Sequence, residues 1–330
     1  ASIYCCDSAF FSLIPQHRIL YWLPRNFWQQ VRSLPAIEPQ AATIRAGLTT
    51  YDDVRFLRLR WEVAAAETGI GNTWVFLSKG GYFSTFYNDV HLVVLWANGG
   101  NEVGAYNRSL YATDAQSRRG SSFYLRPAVT YSRRTDYFSA RALPDNCFFS
   151  DKGPCIIPLN QTTPTYLLGV FNSDLFRGLV HAQSQGGCFE TGVLKFLPWS
   201  EPDKTVQEDV EFAAKAAWKA KARVFSMFET DTRFISPMLA NGSSIADCHA
   251  TSVQIINAVN AETASKAFAI SSAIAGLFGL SNTSFEDLDV YENDHEVKEA
   301  AEFIESPMAL TAALASFAFG VAFGRWDIRY

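Results

Sequence analysis

The chain has 330 residues, of which 48% are hydrophobic and 14% aromatic; this excludes a disordered chain and suffices for one or two domains with buried cores. The net charge of −5 hides an asymmetry, because residues 1–200 carry 18 basic and 14 acidic side chains, whereas residues 201–330 carry 10 and 19. Arginine accounts for 15 of the 18 basic residues, and arginine is favoured in bidentate contacts to phosphate and guanine. A net charge of +4 over the first 200 residues therefore allows a nucleic acid as partner without requiring one.

The first 200 residues read as an irregular, loop-rich β region. A short helix is expected near 27–31, and the alternating Arg and Leu residues of 55–60 are typical of a half-exposed strand. Later β-type runs are separated by Gly, Asn, Asp and Ser, and they predict strands at 73–77, 90–96, 123–131, 137–140, 147–150 and 155–158. A helix is predicted over 165–180 and a last strand over 193–197.

The pattern changes between Pro198 and Pro202. Helical spacing of apolar residues predicts helices over 208–229 and 250–280 and a helix or helical pair over 302–323, and the acidic stretch 281–299 reads as a solvated loop followed by the start of a helix. We therefore predict an α+β protein, in which an irregular β-rich region precedes a mostly α-helical C-terminal region. The expected units are residues 1–45, 46–200 and 201–330.

The cysteines and the apolar stretches favour a reduced, cytoplasmic protein. None of the six cysteines forms a Cys-x-x-Cys pair, and no charged-then-apolar leader follows Ala1. The uncharged stretch 308–323 is short for a membrane span and rich in Ala, Ser and Gly, so a buried helix is predicted there.

Familiar catalytic and metal motifs do not occur. The chain has no Gly-x-x-x-x-Gly-Lys-Ser/Thr phosphate loop, no Gly-x-Ser-x-Gly elbow and no His-x-x-x-His pair. His181 precedes Cys188 by seven residues, but the fold and not sequence proximity places a catalytic Cys and His, so we attribute the pair to chance. Cys248-His249 lacks a second half-site for a metal. We predict no catalytic and no metal-binding residues.

Lys79-Gly80-Gly81 is one candidate binding segment. Paired glycines allow positive φ and close approach of a phosphate, and the lysine supplies a point charge for an anion. The same three residues are also typical of an ordinary hairpin turn. Both interpretations remain open at the level of the residues.

Two arginine pairs, each beside a β-type run, are the other candidate. Arg118-Arg119 precedes Ser121, Ser122 and Tyr124, and Arg133-Arg134 lies between Tyr131 and Tyr137. Arginines beside hydroxyl groups suit phosphate contacts in DNA. The alternative is that both pairs lie in solvated turns, where they form ion pairs with Asp114, Asp136 or Asp151.

Several short motifs occur in a characteristic order. They are the segments 47–56, 58–63, 74–88, 93–99, 122–124, 138–141, 153–154, 166–173 and 323–326. In this order they resemble the target-recognition and C-terminal region of large adenine-specific DNA methyltransferases, which include the phage-exclusion (BREX) methyltransferases and fused type II restriction–modification enzymes. The chain departs from the family at Tyr51, where Gly is frequent, and at Phe86, where Trp is common.

The resemblance implies a role beside a methyltransferase domain. The family transfers a methyl group from S-adenosylmethionine to N6 of an adenine flipped out of the duplex. The family's Asp/Asn-Pro-Pro-Tyr/Phe tetrapeptide and glycine-rich cofactor motif are missing from this sequence. We therefore expect S-adenosylmethionine to bind outside this chain, in an upstream domain of a longer parent enzyme.

The role that the resemblance leaves to this chain is to bind double-stranded DNA and to select the site. The expected DNA-binding residues are Lys79, Gly80, Gly81, Arg118, Arg119, Arg133 and Arg134, with Arg55, Arg58 and Arg60 as weaker candidates. Other subunits of a defence system are a second class of partner. Two alternatives remain open, a free-standing DNA specificity subunit and a non-functional truncated fragment.

Overall fold

The computed structural model describes residues 33–184, 187–234, 236–237, 244–280 and 307–323. The expected helix near 27–31, the acidic stretch 281–299 and most of the segment 323–326 lie outside these residues.

Strands in the described residues form two four-stranded sheets. The strands are β1 Ala42–Arg45, β2 Leu57–Leu59, β3 Trp74–Ser78, β4 Leu92–Leu95, β5 Ala128–Tyr131, β6 Ala140–Leu143, β7 Cys147–Phe149 and β8 Cys155–Pro158. The first sheet has the order β1-β8-β5-β6 and is antiparallel throughout. The second has the order β2-β4-β3-β7, in which β3 and β7 are parallel.

The first sheet is buried on both faces. Successive side chains of a strand point to opposite faces, and in β8 the side chain of Ile156 joins a core with the helices, while Cys155 and Ile157 join a core with the second sheet. In β5, Val129 and Tyr131 face the helices and Ala128 faces the second sheet. The molecule therefore stacks helices, the first sheet and the second sheet as three layers.

Most helices lie after residue 160. In the described residues they are α1 Ile37–Gln40, α2 Asp53–Phe56, α3 Ala97–Tyr111, α4 Pro164–Asn172, α5 Asp174–Gln183, α6 Thr191–Lys195, α7 Lys204–Phe225, α8 Ile245–Leu277 and α9 Pro307–Ala322. None of them is long and apolar enough to cross a membrane.

The predicted α+β class is confirmed, and several local predictions are wrong. The strand predicted over 123–131 begins only at Ala128, because Ser121–Phe123 form a 3-10 helix. The helix predicted over 165–180 is two helices, because Ser173 is extended (ψ 147°) and its hydroxyl caps α5. The strand predicted over 193–197 is the short helix α6, whose Val193 and Leu194 pack into the helical core. The strand predicted at 137–140 is β6, three residues later. The buried helix predicted over 308–323 is largely exposed: Leu310 is buried, but Met308 is 78% and Phe319 68% exposed.

Three helices, α1, α2 and α3, have no counterpart among the predicted elements, and α2 occupies the start of the stretch 55–60, for which a strand is expected. Helix α3 begins with three residues in the left-handed region, Asn98, Gly99 and Gly100, with φ of 52°, 69° and 75°. Residues of this kind are typical of turns, and they obscure the start of the helix in the sequence.

The core continues across position 200. Helices α4 and α7 pack so closely that a Cβ atom on Gly169 would lie 2.5 Å from Cγ1 of Val210. Val210, Ile270 and Ile274 of the C-terminal helices belong to the same cluster as Ile44 and Val129 of the first sheet. The change near residue 200 is therefore a change of secondary structure within one shared core.

Asn172 joins this helical layer to the edge of the first sheet. Its side-chain oxygen accepts a hydrogen bond from the Ala140 amide (3.1 Å), and its amide donates to the carbonyls of Ala140 (2.9 Å) and Leu168 (2.9 Å). β6 is an edge strand, and the bond from the Ala140 amide to Asn172 satisfies a backbone donor there, while the Ala140 carbonyl also accepts from the Phe86 amide (2.8 Å).

We expect Asn172→Leu to lower the free energy of unfolding by about 1 to 3 kcal/mol, because it leaves the buried amide of Ala140 without a partner, whereas the Ala140 carbonyl keeps its bond from the Phe86 amide. Urea unfolding of the two proteins measures this. Asn101→Leu, an exposed change on α3, serves as control and should stay within about 0.5 kcal/mol. Equal losses from both substitutions would show that the Asn172 bonds do not hold the sheet edge.

Candidate nucleic-acid interface

The C-terminal ends of β3, β5 and β7 meet on one side of the molecule. Ser78 pairs with Phe149 in the parallel ladder, and Thr130 pairs with Cys155 at the start of β8. The loops that follow these strands are therefore neighbours. We call 79–81, 133–134 and 150–153 together the basic loop cluster.

The segment 150–153 connects these loops by backbone hydrogen bonds. The amide of Ser150 donates to the carbonyl of Ser78 (3.0 Å), and the amide of Arg133 donates to the carbonyl of Lys152 (2.9 Å). The structure thus brings together two candidate sites that are more than fifty residues apart in the chain.

Gly80 and Gly81 both need to be glycine. Their φ angles are 82° and 136°, and a Cβ atom on Gly80 would lie 2.7 Å from the carbonyl oxygen of Lys152. The simple hairpin interpretation is wrong, because the connection from β3 to β4 is long, running from Lys79 to His91. The glycines therefore shape a loop that lies against the 150–153 segment.

Lys79 forms an ion pair with Asp53 at the start of α2. Burial disfavours the ionised Asp53, but hydrogen bonds from Lys79 and from the hydroxyl of Thr50 (2.6 Å) outweigh it, so the pKa of Asp53 lies below its ordinary value. The Lys79 ammonium is therefore held in place at the edge of the cluster.

Arg118 and Arg119 lie on an adjoining loop. The Gln116 carbonyl accepts a hydrogen bond from the Thr49 amide (3.0 Å), which fixes this loop beside residues 47–53. Nε of Arg118 lies 3.4 Å from Oδ2 of Asp114, and its Nη1 donates to the carbonyl of Gly99 (3.1 Å). Arg119 is exposed, and its guanidinium has no recorded partner among the described residues.

Arg133 is paired and Arg134 is exposed. Nη2 and Nε of Arg133 both donate to Oε1 of Glu190 (2.7 and 3.1 Å), and Nη1 lies 4.0 Å from Oδ2 of Asp151. The hydrogen bond from Arg133 holds the pKa of Glu190 below its ordinary value. The backbone of Arg134 bridges to Cys188, and within the described part of the chain its guanidinium forms no hydrogen bond or ion pair, although its charge helps to lower the pKa of Glu190.

The interpretation that the basic residues form ion pairs thus holds for some of the candidate residues. Asp114 pairs with Arg118 and Asp151 lies near Arg133, as that interpretation predicts, and Asp53 and Glu190 are partners that the sequence did not indicate. Arg119 and Arg134 remain exposed and available.

The three weaker candidates have structural partners. Arg55 forms an ion pair with Glu102 (2.8 Å), and Arg58 donates to the carbonyls of Val54 and Leu57 (both 2.6 Å). Arg60 donates to the carbonyl of Asp231 (2.7 Å), beyond the end of α7. These arginines serve local packing, and Arg60 links the β region to the C-terminal helices.

Cys188 and the histidines suggest no further chemistry. The thiol of Cys188 donates to Oε1 of Glu190 (3.1 Å), and the ring of His181 stacks on Tyr137. No group of His, Cys, Asp and Glu in the described residues could hold a metal ion. The four cysteines of those residues are free thiols.

Sequence reasoning missed Arg141, which lies directly behind the glycine loop. Only 2% of Arg141 is exposed, and burial lowers the pKa of its guanidinium to about 10. One feature of the sequence could have indicated Arg141: it ends the segment 138–141, whose other three residues are buried.

Comparison with known proteins agrees with the motif order. Over 206 residues the chain is 23% identical to adenine-specific methyltransferase PglX of Lacticaseibacillus casei (strain Zhang), which corresponds to 59% of this chain and 17% of the relative. The chain is similar to part of an adenine-specific methyltransferase. The resemblance predicted from the sequence is therefore confirmed, and the chain spans about a sixth of that relative's length.

Two other comparisons say less about the relatives of this chain. No protein-family model matches the chain. The structure of the type IIL restriction–modification enzyme MmeI in complex with DNA superposes with a TM-score of 0.48 and 13% identity, over 86% of this chain and 36% of that one.

The Arg133–Glu190 pair should give an acid-dependent contribution to stability. The pKa of Glu190 is lowered in the folded chain, so the pair stabilises the fold above the ordinary value of 4.5 and the contribution is lost as pH falls through the folded value. We expect Glu190→Gln to lower the free energy of unfolding by less than about 1 kcal/mol at neutral pH, because the pair is half exposed. In strong acid the substitution should leave the free energy of unfolding unchanged. Urea unfolding between pH 3 and 7 measures the difference, with the exposed Glu67→Gln as control. A difference that grows in acid would contradict the assignment.

Proposed function

We propose that this chain is the DNA target-recognition part of a site-specific adenine-N6 DNA methyltransferase of a phage-defence or restriction–modification system. It binds duplex DNA and selects the site, while a domain outside the chain binds S-adenosylmethionine and transfers the methyl group. The observation that carries the proposal is the basic loop cluster with the adjoining Arg118-Arg119 loop, on a chain similar to part of an adenine-specific methyltransferase.

The scaffold under these loops supports such a role. The loops follow strands whose side chains are buried on both sides, and loops on a rigid scaffold are common sites of binding. Backbone bonds from Ser150 and Arg133 hold them in fixed relative positions, so cations on them could meet successive phosphates of one duplex.

The ion pairs of the cluster do not oppose DNA binding. The side chain of Glu190 is 47% exposed and that of Asp53 54% exposed, and half-exposed pairs contribute little to stability. A phosphate can therefore replace either carboxylate at small cost. Among the described residues, Arg119 and Arg134 form no ion pair that a phosphate would have to replace. We propose that they make the first phosphate contacts.

The first 200 residues are the better partner for a polyanion. They carry 18 basic and 14 acidic side chains, whereas residues 201–330, which include the C-terminal helices, carry 10 and 19. We propose that these helices support the β region and contact other subunits or domains.

We expect Arg119→Ala combined with Arg134→Ala to weaken duplex binding and to reduce the slope of log K against log salt by about 2, because each phosphate contact releases close to one counterion. Fluorescence anisotropy with a labelled duplex at several salt concentrations measures the slope. Lys215→Ala with Lys219→Ala removes the same charge from exposed positions of α7 and should leave the slope unchanged. Equal slopes for all three proteins would refute the assignment of these arginines.

Glu190→Gln should strengthen duplex binding, which is the opposite of the effect expected for the two arginine substitutions. It releases Arg133 from its carboxylate partner, so binding of the same duplex should tighten and the salt slope should steepen by up to about 1. Unchanged binding would show that Arg133 serves only the ion pair, leaving Arg119 and Arg134 as the contact residues.

A further inference from the structure

A cleft opens beside the Gly80-Gly81 turn, between the end of β3 and the edge of the first sheet. Its lining includes Lys79, Gly80, Asn88, Asp89, His91 and Arg141. Its volume is about 30 Å³, which is room for a group the size of one water molecule.

Arg141 enters this cleft as a buried charge without a counter-charge. Its Nη2 donates to Oγ of Ser132, and its Nη1 lies 3.5 Å from the carbonyl oxygen of Tyr82. Both partners are neutral, Nε has no partner, and no ion pair reaches Arg141 among the described residues. A buried charge is costly unless it is paired, so the fold alone gives no reason for a guanidinium at this place.

Arg141 and Asn88 lie close against the side of Gly81 that carries no Cβ. A Cβ atom on Gly81 would lie 3.2 Å from Nη1 of Arg141 and 3.2 Å from Nδ2 of Asn88. Two nitrogen donors therefore face the bare side of Gly81. The hydroxyl of Ser132 donates to the Gly81 carbonyl (2.7 Å), which fixes the turn and leaves the Ser132 oxygen as an acceptor for Arg141.

Asp89 does not supply the missing counter-charge. It lines the same cleft, its Oδ1 accepts a hydrogen bond from Thr232 (2.7 Å), and it forms no ion pair with Arg141. Within the cleft the Asp89 carboxylate repels an anion, whereas the Arg141 guanidinium attracts one.

We propose that Arg141, Asn88 and the Gly80-Gly81 turn form a binding site for an oxygen of a phosphate group. The cleft admits the oxygen, the guanidinium supplies the charge, and the Asn88 amide supplies a second donor. Two sources share this chemistry, a phosphodiester of bound DNA and free phosphate. The first source rests on the proposed function, and the second does not.

Thermal unfolding of the chain with added sodium phosphate tests the site, with sodium chloride at equal ionic strength as reference. We expect phosphate to raise the melting temperature of the wild type and not that of Arg141→Met. Because methionine removes an uncompensated buried charge, the melting temperature of this variant without phosphate should equal or exceed that of the wild type. Arg126→Met, at an exposed arginine, should keep the full phosphate response.

A second pair of variants leaves Arg141 in place. Asn88→Asp puts a carboxylate beside the guanidinium and should abolish the phosphate response, whereas Asp89→Asn removes a repelling charge and should strengthen it. The proposal is overturned if the wild type shows no phosphate-specific shift, or if Asn88→Asp and Arg141→Met retain it. A destabilised Arg141→Met with an unchanged phosphate shift would make Arg141 a purely structural residue.

Duplex binding separates the two sources. If the site takes a DNA phosphodiester, Arg141→Met lowers the salt slope of duplex binding by about 1 and free phosphate competes with DNA. If it takes free phosphate, the slope is unchanged while the thermal response is still lost. A wild-type chain that responds to phosphate but binds no duplex would support the site and contradict the proposed function.

Discussion

The architecture depends on burying the first sheet on both faces. Its central strands β8 and β5 present apolar side chains in both directions, one set to the helices and one to the second sheet. In β8, Ile156 faces the helices, and Cys155 and Ile157 face the second sheet. The helices after residue 200 therefore share a core with the sheet, and their removal would expose one of its faces.

This constraint also places the candidate site. Because β3 and β7 run parallel and β5 lies beside β8, the chain leaves three strands on the same side, and the loops that follow carry Lys79, Arg133 and Arg134. The segment 150–153 links them through backbone bonds, so the cluster is held by the scaffold and not by its own ion pairs. Its carboxylate partners keep Lys79 and Arg133 ordered, and these half-exposed pairs contribute little to stability. Arg141 is different in kind, because its charge is buried and has no carboxylate to exchange.

The sequence predicted the parts of the fold that depend on local pattern. Runs such as Trp74–Ser78 and Cys155–Pro158 form strands as predicted, because β-branched and aromatic side chains suit a pleated, buried surface. The long amphipathic helix α7 was equally clear. Predictions failed where a single residue overrides the pattern, as at Ser173, whose cap divides one predicted helix into two, and at 98–100, where left-handed residues begin α3.

The candidate site could be predicted only in part, for a similar reason. The paired glycines and the arginine pairs were visible as residue types, since turn chemistry and charge are local properties. Their partners were not visible: Asp53 reaches Lys79 and Glu190 reaches Arg133 only through the fold. Arg141 looked like an ordinary strand residue, because nothing in the sequence shows that its side chain is buried without a counter-charge.

The central claim is that duplex DNA binds at the loops that follow β3, β5 and β7. Hydrogen–deuterium exchange of the 330-residue chain, with and without a duplex, tests it most directly. The account predicts slower exchange at 79–81, 118–120, 132–134 and 150–153, with helices α7 and α8 unaffected. Protection of α7 and α8 with unchanged exchange in the loops would contradict it.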